Sequence, residues 1–319
     1  MSIMSKTMPS AESVEEMLRG ELAQGDVILA TARPILRHLL ANDDHALFSD
    51  EVIARIRGMM VHVARQLMLA LAKEAGERDP GAFADLRQEA LAVALLEDAA
   101  FLGHAHALTI EALLADRLQQ RSGFDPVLSP LLQERAASSD QGQAAAAMRV
   151  VAAQARFMHQ QRRMELALGE LPAELFHSAT NLLKSHAADH AAAAERVCTS
   201  LREHFDESEG RVGQIAQLVM AMGHTANRAL AVDHAGLSVF ATALGMASEQ
   251  PRETAVLSLG ENQVVRLAIS LRAAGLNQGA VEEQFLYLHP DITLPDGFDA
   301  LRTDRAVALL ASATTELAR

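Results

Sequence analysis

Apolar positions along this chain recur three and four residues apart, the spacing that stacks side chains on one face of a helix. The clearest run follows Ser49, where Val52, Ile53, Ile56, Met59, Met60, Val63, Leu67 and Leu71 step at that interval. Gly76 ends this helix, and Asp79 with Pro80 caps and opens the next, since glycine suits the turn after a helix and proline its first position. That segment extends to about Arg121, with a break expected at Gly103.

The same punctuation divides the rest. Ser13 with Glu16 makes a capping box that starts a first helix, and Gly25 and Asp26 interrupt it. Residues 26–41 are again helical in pattern, but Pro34 removes an amide hydrogen, so a kink or a fresh start is expected near Arg33. Residues 42–45 form a loop. Asp125 and Pro126 repeat the start signal, a long helix covers 141–168 up to Gly169, and another covers 172–205. The last would span about 50 Å unbroken, so it has room for a hidden break. Residues 206–210 form the most polar junction, after which shorter helices are expected at 211–230, 234–248, 252–259, 262–274, 278–288 and 300–317. Pro295, Asp296 and Gly297 supply the last turn.

These elements predict an all-α fold without β-sheet, arranged as an extended array of tandem bundles or stacked helical hairpins. Three parts follow: an N-terminal arm and short helix (1–25), a long-helix domain (26–207) and a shorter-helix domain (208–319). A weak echo joins Pro34 to Pro130 and Pro80 to Pro172, which would make the long-helix domain two copies of a ~95-residue unit. Chance likeness between Ala- and Leu-rich helices is the competing account.

Composition agrees with the pattern. Aromatic residues are 3% of the chain, with ten Phe, one Tyr and no Trp, so the apolar set is dominated by good helix formers. Alanine concentrates at 144–147, 152–155 and 187–194, where small side chains let helices approach closely. An Arg-over-Lys and Ala excess is also what GC-rich codon usage imposes. The stretches 212–227 and 234–248 carry no Asp, Glu, Lys or Arg. Both are too short and too polar to span a membrane and read as buried core helices. The first ten residues contain no apolar core of a secretory signal, which makes the cytoplasm the expected compartment.

Charge excludes more than it selects. The net charge is −13, with 41 acidic against 28 basic residues, and nucleic-acid binding needs a clustered basic surface. The densest basic spot, Arg156, His159, Arg162 and Arg163, is small. On an acidic protein it reads either as a solvated helix face or as a surface for a partner protein. The single cysteine, Cys198, excludes an internal disulfide, a CxxC pair and a cysteine zinc cluster. No G-x-S-x-G elbow, G-x-G-x-x-G loop or Walker loop occurs.

Histidines carry the remaining candidate chemistry. His186 and His190 in HAADH stand four apart, which places both imidazoles on one face if the helix is continuous, and Asp189 could complete a two-histidine, one-carboxylate set for a divalent metal ion. The glutamate of an HExxH motif is missing, and Glu195 lies on the far side. Glu97, His104 and Glu111 are spaced by sevens and would form one stripe, with His106 facing away; opposite HAADH, such a stripe could build a carboxylate-histidine cage. Only Glu174 with His177 supplies a Glu-x-x-His pair. Methionines within the predicted helices, Met59, Met148, Met220 and Met246 among them, read as core or as an adaptable binding groove.

Two function classes therefore stand. The first is a non-enzymatic helical interaction protein, regulatory or scaffolding, with no cofactor, binding another protein or a second copy of itself through Arg156, His159, Arg162 and Arg163. The alternative is a helical metalloprotein or small-molecule-binding enzyme using His186, Asp189 and His190 with Glu97 or His104. A third reading places an apolar ligand between 212–227 and 234–248.

Overall fold

All regular elements among the described residues of the computed structural model, 11–41 and 50–317, are helical. The first half contains α1 (Ala11–Ala41), α2 (Asp50–Ala75), α3 (Pro80–Glu97), α4 (Ala99–Ser122), α5 (Pro130–Ala136), α6 (Gln141–Arg162), α7 (Ala173–His186) and α8 (Ala191–His204). The second contains α9 (Arg211–Ala221), α10 (Val232–Ala235), α11 (Leu237–Ala247), α12 (Arg252–Ser258), α13 (Val264–Ala273), α14 (Gln278–Leu288) and α15 (Thr303–Leu317). Short 3-10 turns at Leu168–Glu170, Glu207–Glu209 and Gly223–Leu230 join some of them.

Helix α4 lies in the middle. It packs against α1, α2, α3, α6, α11, α12 and α14, and residues 101–109 are buried without interruption. A helix buried all round carries no amphipathic stripe, so its polar residues must find partners inside the protein. Around it, α2 lies along α3 and α8, α6 packs on α5 and α9, and α13 on α1 and α15. Buried apolar residues from Val14 to Ala313 form one contiguous cluster, which therefore passes across the polar junction at 206–210. No single helix among the described residues is long and apolar enough to cross a membrane; α3 and α4 together reach the length but are bent by 92° at their break.

Several elements follow the sequence signals closely. Asp79 accepts a hydrogen bond from the Ala82 amide at 3.0 Å with Pro80 inside the first turn, Gly76 takes a left-handed φ of 75°, and α12, α13 and α14 fall where their punctuation puts them. Ser49 and the loop 42–45 lie outside the described residues.

Other boundaries move, each for a local reason. Helix α1 passes through Gly25, Asp26 and Pro34 as one element. Gly25 is a close-approach residue: a Cβ there would stand 2.9 Å from the Gln263 side-chain oxygen, and Gln263 donates to the Gly25 carbonyl at 2.8 Å. Asp26 is buried against Arg266. Pro34, inside α1, and Pro130, which opens α5 behind the Ser129 cap, thus occupy unlike places, whereas Pro80 and Pro172 both stand at helix starts. The 80–121 segment breaks at Asp98, not at Gly103. The Asp98 carboxylate accepts from the Ala100 amide at 2.8 Å and the Ser178 hydroxyl at 3.0 Å, capping α4. Asp125 makes a turn by accepting from the Val127 and Leu128 amides, which delays the helix to Pro130. Helix α6 stops at Arg162 because Met164 turns to a φ of 58°. The 172–205 stretch does break, at Ala187.

The Asp26–Arg266 pair is the tether between α1 and α13. Burial lowers the Arg266 pKa to about 10, and its guanidinium also donates to Gln250 at 3.0 Å, whose amide in turn donates to Ser270 and Ser248. Removing one member of a buried ion pair strands the other charge, a loss of about 3–5 kcal/mol, whereas apolar residues in both places cost little. Asp26→Ala should destabilise the protein by about that amount, and Asp26→Leu with Arg266→Met should recover most of it. Urea unfolding of the three proteins measures both, and an unshifted midpoint for the single variant contradicts the assignment.

Candidate functional site

The seven-residue spacing of His104 and Glu111 sets both on one face of α4, and both side chains are buried. Glu97 does not share that face: it ends α3, before the bend at Asp98, and is exposed. His106 is buried elsewhere on α4.

Glu111 receives two guanidinium forks. Arg211 donates to its two carboxylate oxygens at 2.7 and 2.9 Å, and Arg252 at 2.8 and 3.0 Å. Arg211 further donates to Gln154 at 3.1 Å and Ser238 at 3.3 Å, and lies 3.7 Å above the Phe157 ring. Arg252 donates through Nε to the Thr242 hydroxyl at 2.9 Å. Burial alone would raise the Glu111 pKa, but the two guanidiniums outweigh it and hold the carboxyl well below its ordinary range. The glutamate was visible in the sequence as part of the spaced stripe; its arginines were not. Their one signal is position, since Arg211 precedes the charge-free stretch 212–227 and Arg252 follows 234–248.

His104, about two turns away, lines a cleft. Its Nδ1 is 3.0 Å from Glu253 Oε1, and its Nε2 is buried with no hydrogen-bond partner among the described residues. The cleft has a volume of about 530 Å³, and its polar wall includes His104, Glu253, Glu170, Asp206, Glu207 and Ser208. Leu171, Pro172, Val212, Ala216 and Met220 supply the apolar part. Glu170 is held in place by accepting from the Arg211 backbone amide at 2.7 Å, a carboxylate at the amino end of α9, where the exposed amides favour negative charge. The 206–210 turn is pressed onto the same helix end. A Cβ on Gly213 would meet the Glu207 carbonyl oxygen at 2.5 Å, so only glycine permits this approach.

The electrostatics of the cleft are those of an acceptor. The hydrogen bond from His104 lowers the Glu253 pKa to about 2, and the Ser208 hydroxyl with its amide lowers that of Asp206. Serine, histidine and glutamate thus line one cavity, yet Ser208 donates its backbone amide to Asp206 at 2.9 Å and makes no bond to His104, whose Nε2 has no partner among the described residues. The nucleophile-to-base contact of a hydrolytic triad is not made. Arg211 and Arg252, the nearest buried cations, are committed to Glu111.

The HAADH histidines separate at the Ala187 break. His186 ends α7, exposed, with Nδ1 2.9 Å from the Leu182 carbonyl oxygen. His190, in a 3-10 turn, stacks edge-on to Phe83 at 5.4 Å and stands 3.7 Å from Glu77. Asp189 is exposed. A continuous helix was the premise for one shared face, and the break removes it. Among the described residues no group of three or more His, Cys, Asp or Glu could hold a metal ion. Arg156, His159, Arg162 and Arg163 are all exposed on α6 or its C-cap, and Arg163 pairs with Glu165 at 2.9 Å.

Between the two charge-poor stretches lies a second, shallow cleft of about 350 Å³, walled by Val219, Met220, Ala226, Leu230, Ala243 and Met246. Helix α11 is almost entirely buried, as expected of a core helix, but α9 is not, since Met220 is 61% exposed and stands on the wall of both clefts. No protein family, curated protein or solved structure matches the chain.

The lowered carboxylates fix the sign of the acid response. Unfolded, Glu111 and Glu253 titrate in the ordinary range near 4.5; folded, they titrate lower. Between the two values the unfolded chain binds more protons, so their contribution is complete above about pH 5 and is lost as pH falls, for Glu253 down to about 2. Chemical unfolding from pH 7 to 3 should show falling stability, less steeply in Glu253→Gln. Glu111→Gln, which leaves two buried guanidiniums without a counter-charge, should cost about 3–5 kcal/mol at pH 7, and a loss under about 1 kcal/mol contradicts the network's assigned role.

Proposed function

We propose that this is an α-helical interaction protein, regulatory or scaffolding in role, whose acidic cleft holds a cationic segment of another protein. One observation carries the reading: the carboxylates of the cleft, Glu170, Asp206, Glu207 and Glu253, face an apolar wall that includes Leu171, Val212 and Met220. Carboxylates accept hydrogen bonds and attract cations, while the apolar wall suits the aliphatic stem of a lysine or arginine. The net charge of −13 adds long-range attraction for a basic partner. Met220 continues the surface into the second cleft, and exposed methionines adapt to a helix laid in a groove.

The cationic face of α6, with Arg156, His159, Arg162 and Arg163, belongs to the same proposal as a separate contact for an acidic partner or a second copy. The two surfaces are distinguished by charge reversal. Isothermal titration with an Arg- and Lys-rich amphipathic peptide should give salt-sensitive binding, weakened about tenfold by Glu207→Lys and left unchanged by Arg156→Glu with Arg162→Glu. An acidic peptide of equal length should not bind the cleft. Equal affinity for both peptides, or an unchanged affinity in Glu207→Lys, contradicts the cleft as the binding surface.

A further inference from the structure

We infer that the cation this cleft accepts is one that donates hydrogen bonds, a guanidinium above all, and that His104 Nε2 takes one of them. The inference rests on the cleft being the binding surface and adds what it recognises. A carboxylate only accepts, so the proton of the His104–Glu253 contact lies on His104 Nδ1. In the neutral imidazole that leaves Nε2 as an acceptor. The His104 side chain is 7% exposed, and its Nε2 is buried and unpartnered, a state that few buried polar atoms occupy.

Among the described residues no donor reaches it, and the amide of Gln217, on the same cleft, is not bonded to it. Arg211 and Arg252 spend their forks on Glu111, Ser208 is bonded to Asp206 and not to His104, and the other charged groups of the cleft are Glu170, Asp206, Glu207 and Glu253. A ligand that fits must bring N–H groups as well as charge. A planar guanidinium presents five in a fixed fork and can address Nε2 and a carboxylate together. A quaternary ammonium brings the same charge with no donor.

Two peptides of one sequence separate these properties, with arginine or trimethyllysine at the central position. Titrated into the intact protein, the arginine peptide is expected to bind about tenfold more tightly, the scale of one hydrogen bond to a charged group. His104→Phe, which keeps the ring and removes the acceptor, should bring the two affinities together. His104→Gln, which restores an acceptor near the same place, should restore much of the preference. Nitrogen NMR of the wild-type imidazole provides a reading free of substitution, with His104 Nε2 moving on addition of the arginine peptide and not of the other. Equal binding of both peptides to wild type overturns the inference while the cleft stands as a charge-reading surface. If neither peptide binds, the cleft reading itself falls and the inference with it.

Discussion

A single carboxylate, that of Glu111, dictates how the two halves of the chain meet. It is fully buried on the central helix of the fold, where an unpaired charge is untenable, and its partners come from 100 and 141 positions further along. Arg211 is the first residue of α9 and Arg252 the first of α12, so the bonds that neutralise Glu111 also fix where both helices begin. Such an arrangement contributes less stability than its bond count suggests, because three charges have been taken out of water. What it does provide is geometric. Two forks on one carboxylate admit few other placements of the helices that carry them.

The cleft is a consequence of that placement. Fixing Arg252 puts its neighbour Glu253 opposite His104, and fixing Arg211 draws Gly210 and the 206–210 turn over the amino end of α9, where Glu170 closes on the Arg211 amide. The glycines here serve the approach of chain to chain. At Gly213 the neighbouring carbonyl leaves no room for a side chain, as the Gln263 contact leaves little at Gly25.

Such contacts explain which parts of the fold were legible in the sequence. Helix type and many of its ends follow from spacing and from local chemistry, as with Asp79, Pro80 and Gly76, because the residues that decide them are neighbours in the chain. Gly25 and Pro34 read locally as interruptions, yet α1 continues through them, since its packing against α13 and α15 outweighs the local signal. The break falls at the Asp98 cap and not at Gly103, although both signals are local; a carboxylate that can accept from the next turn's amides decides a break better than a glycine that simply fits inside a helix. Half of the central site could be read, because the interval from His104 to Glu111 is a property of one helix. The arginines could not, because no local pattern tells a buried guanidinium from a solvated one. The HAADH pair misled for the complementary reason, that its shared face depended on a helix which breaks at Ala187.

His104 and Glu111 differ in how completely the chain satisfies them. Both are polar, buried and on the same face of α4. The acceptors of Glu111 are filled entirely from within the protein, so it can be removed only at the expense of the fold. His104 is satisfied on one side, by Glu253, while its buried Nε2 has no partner among the described residues, on a side chain that lines the cleft. An interior that closes four hydrogen bonds around one residue has the means to close a fifth around its neighbour. At His104 Nε2 it does not, and that position is left unfilled among the described residues.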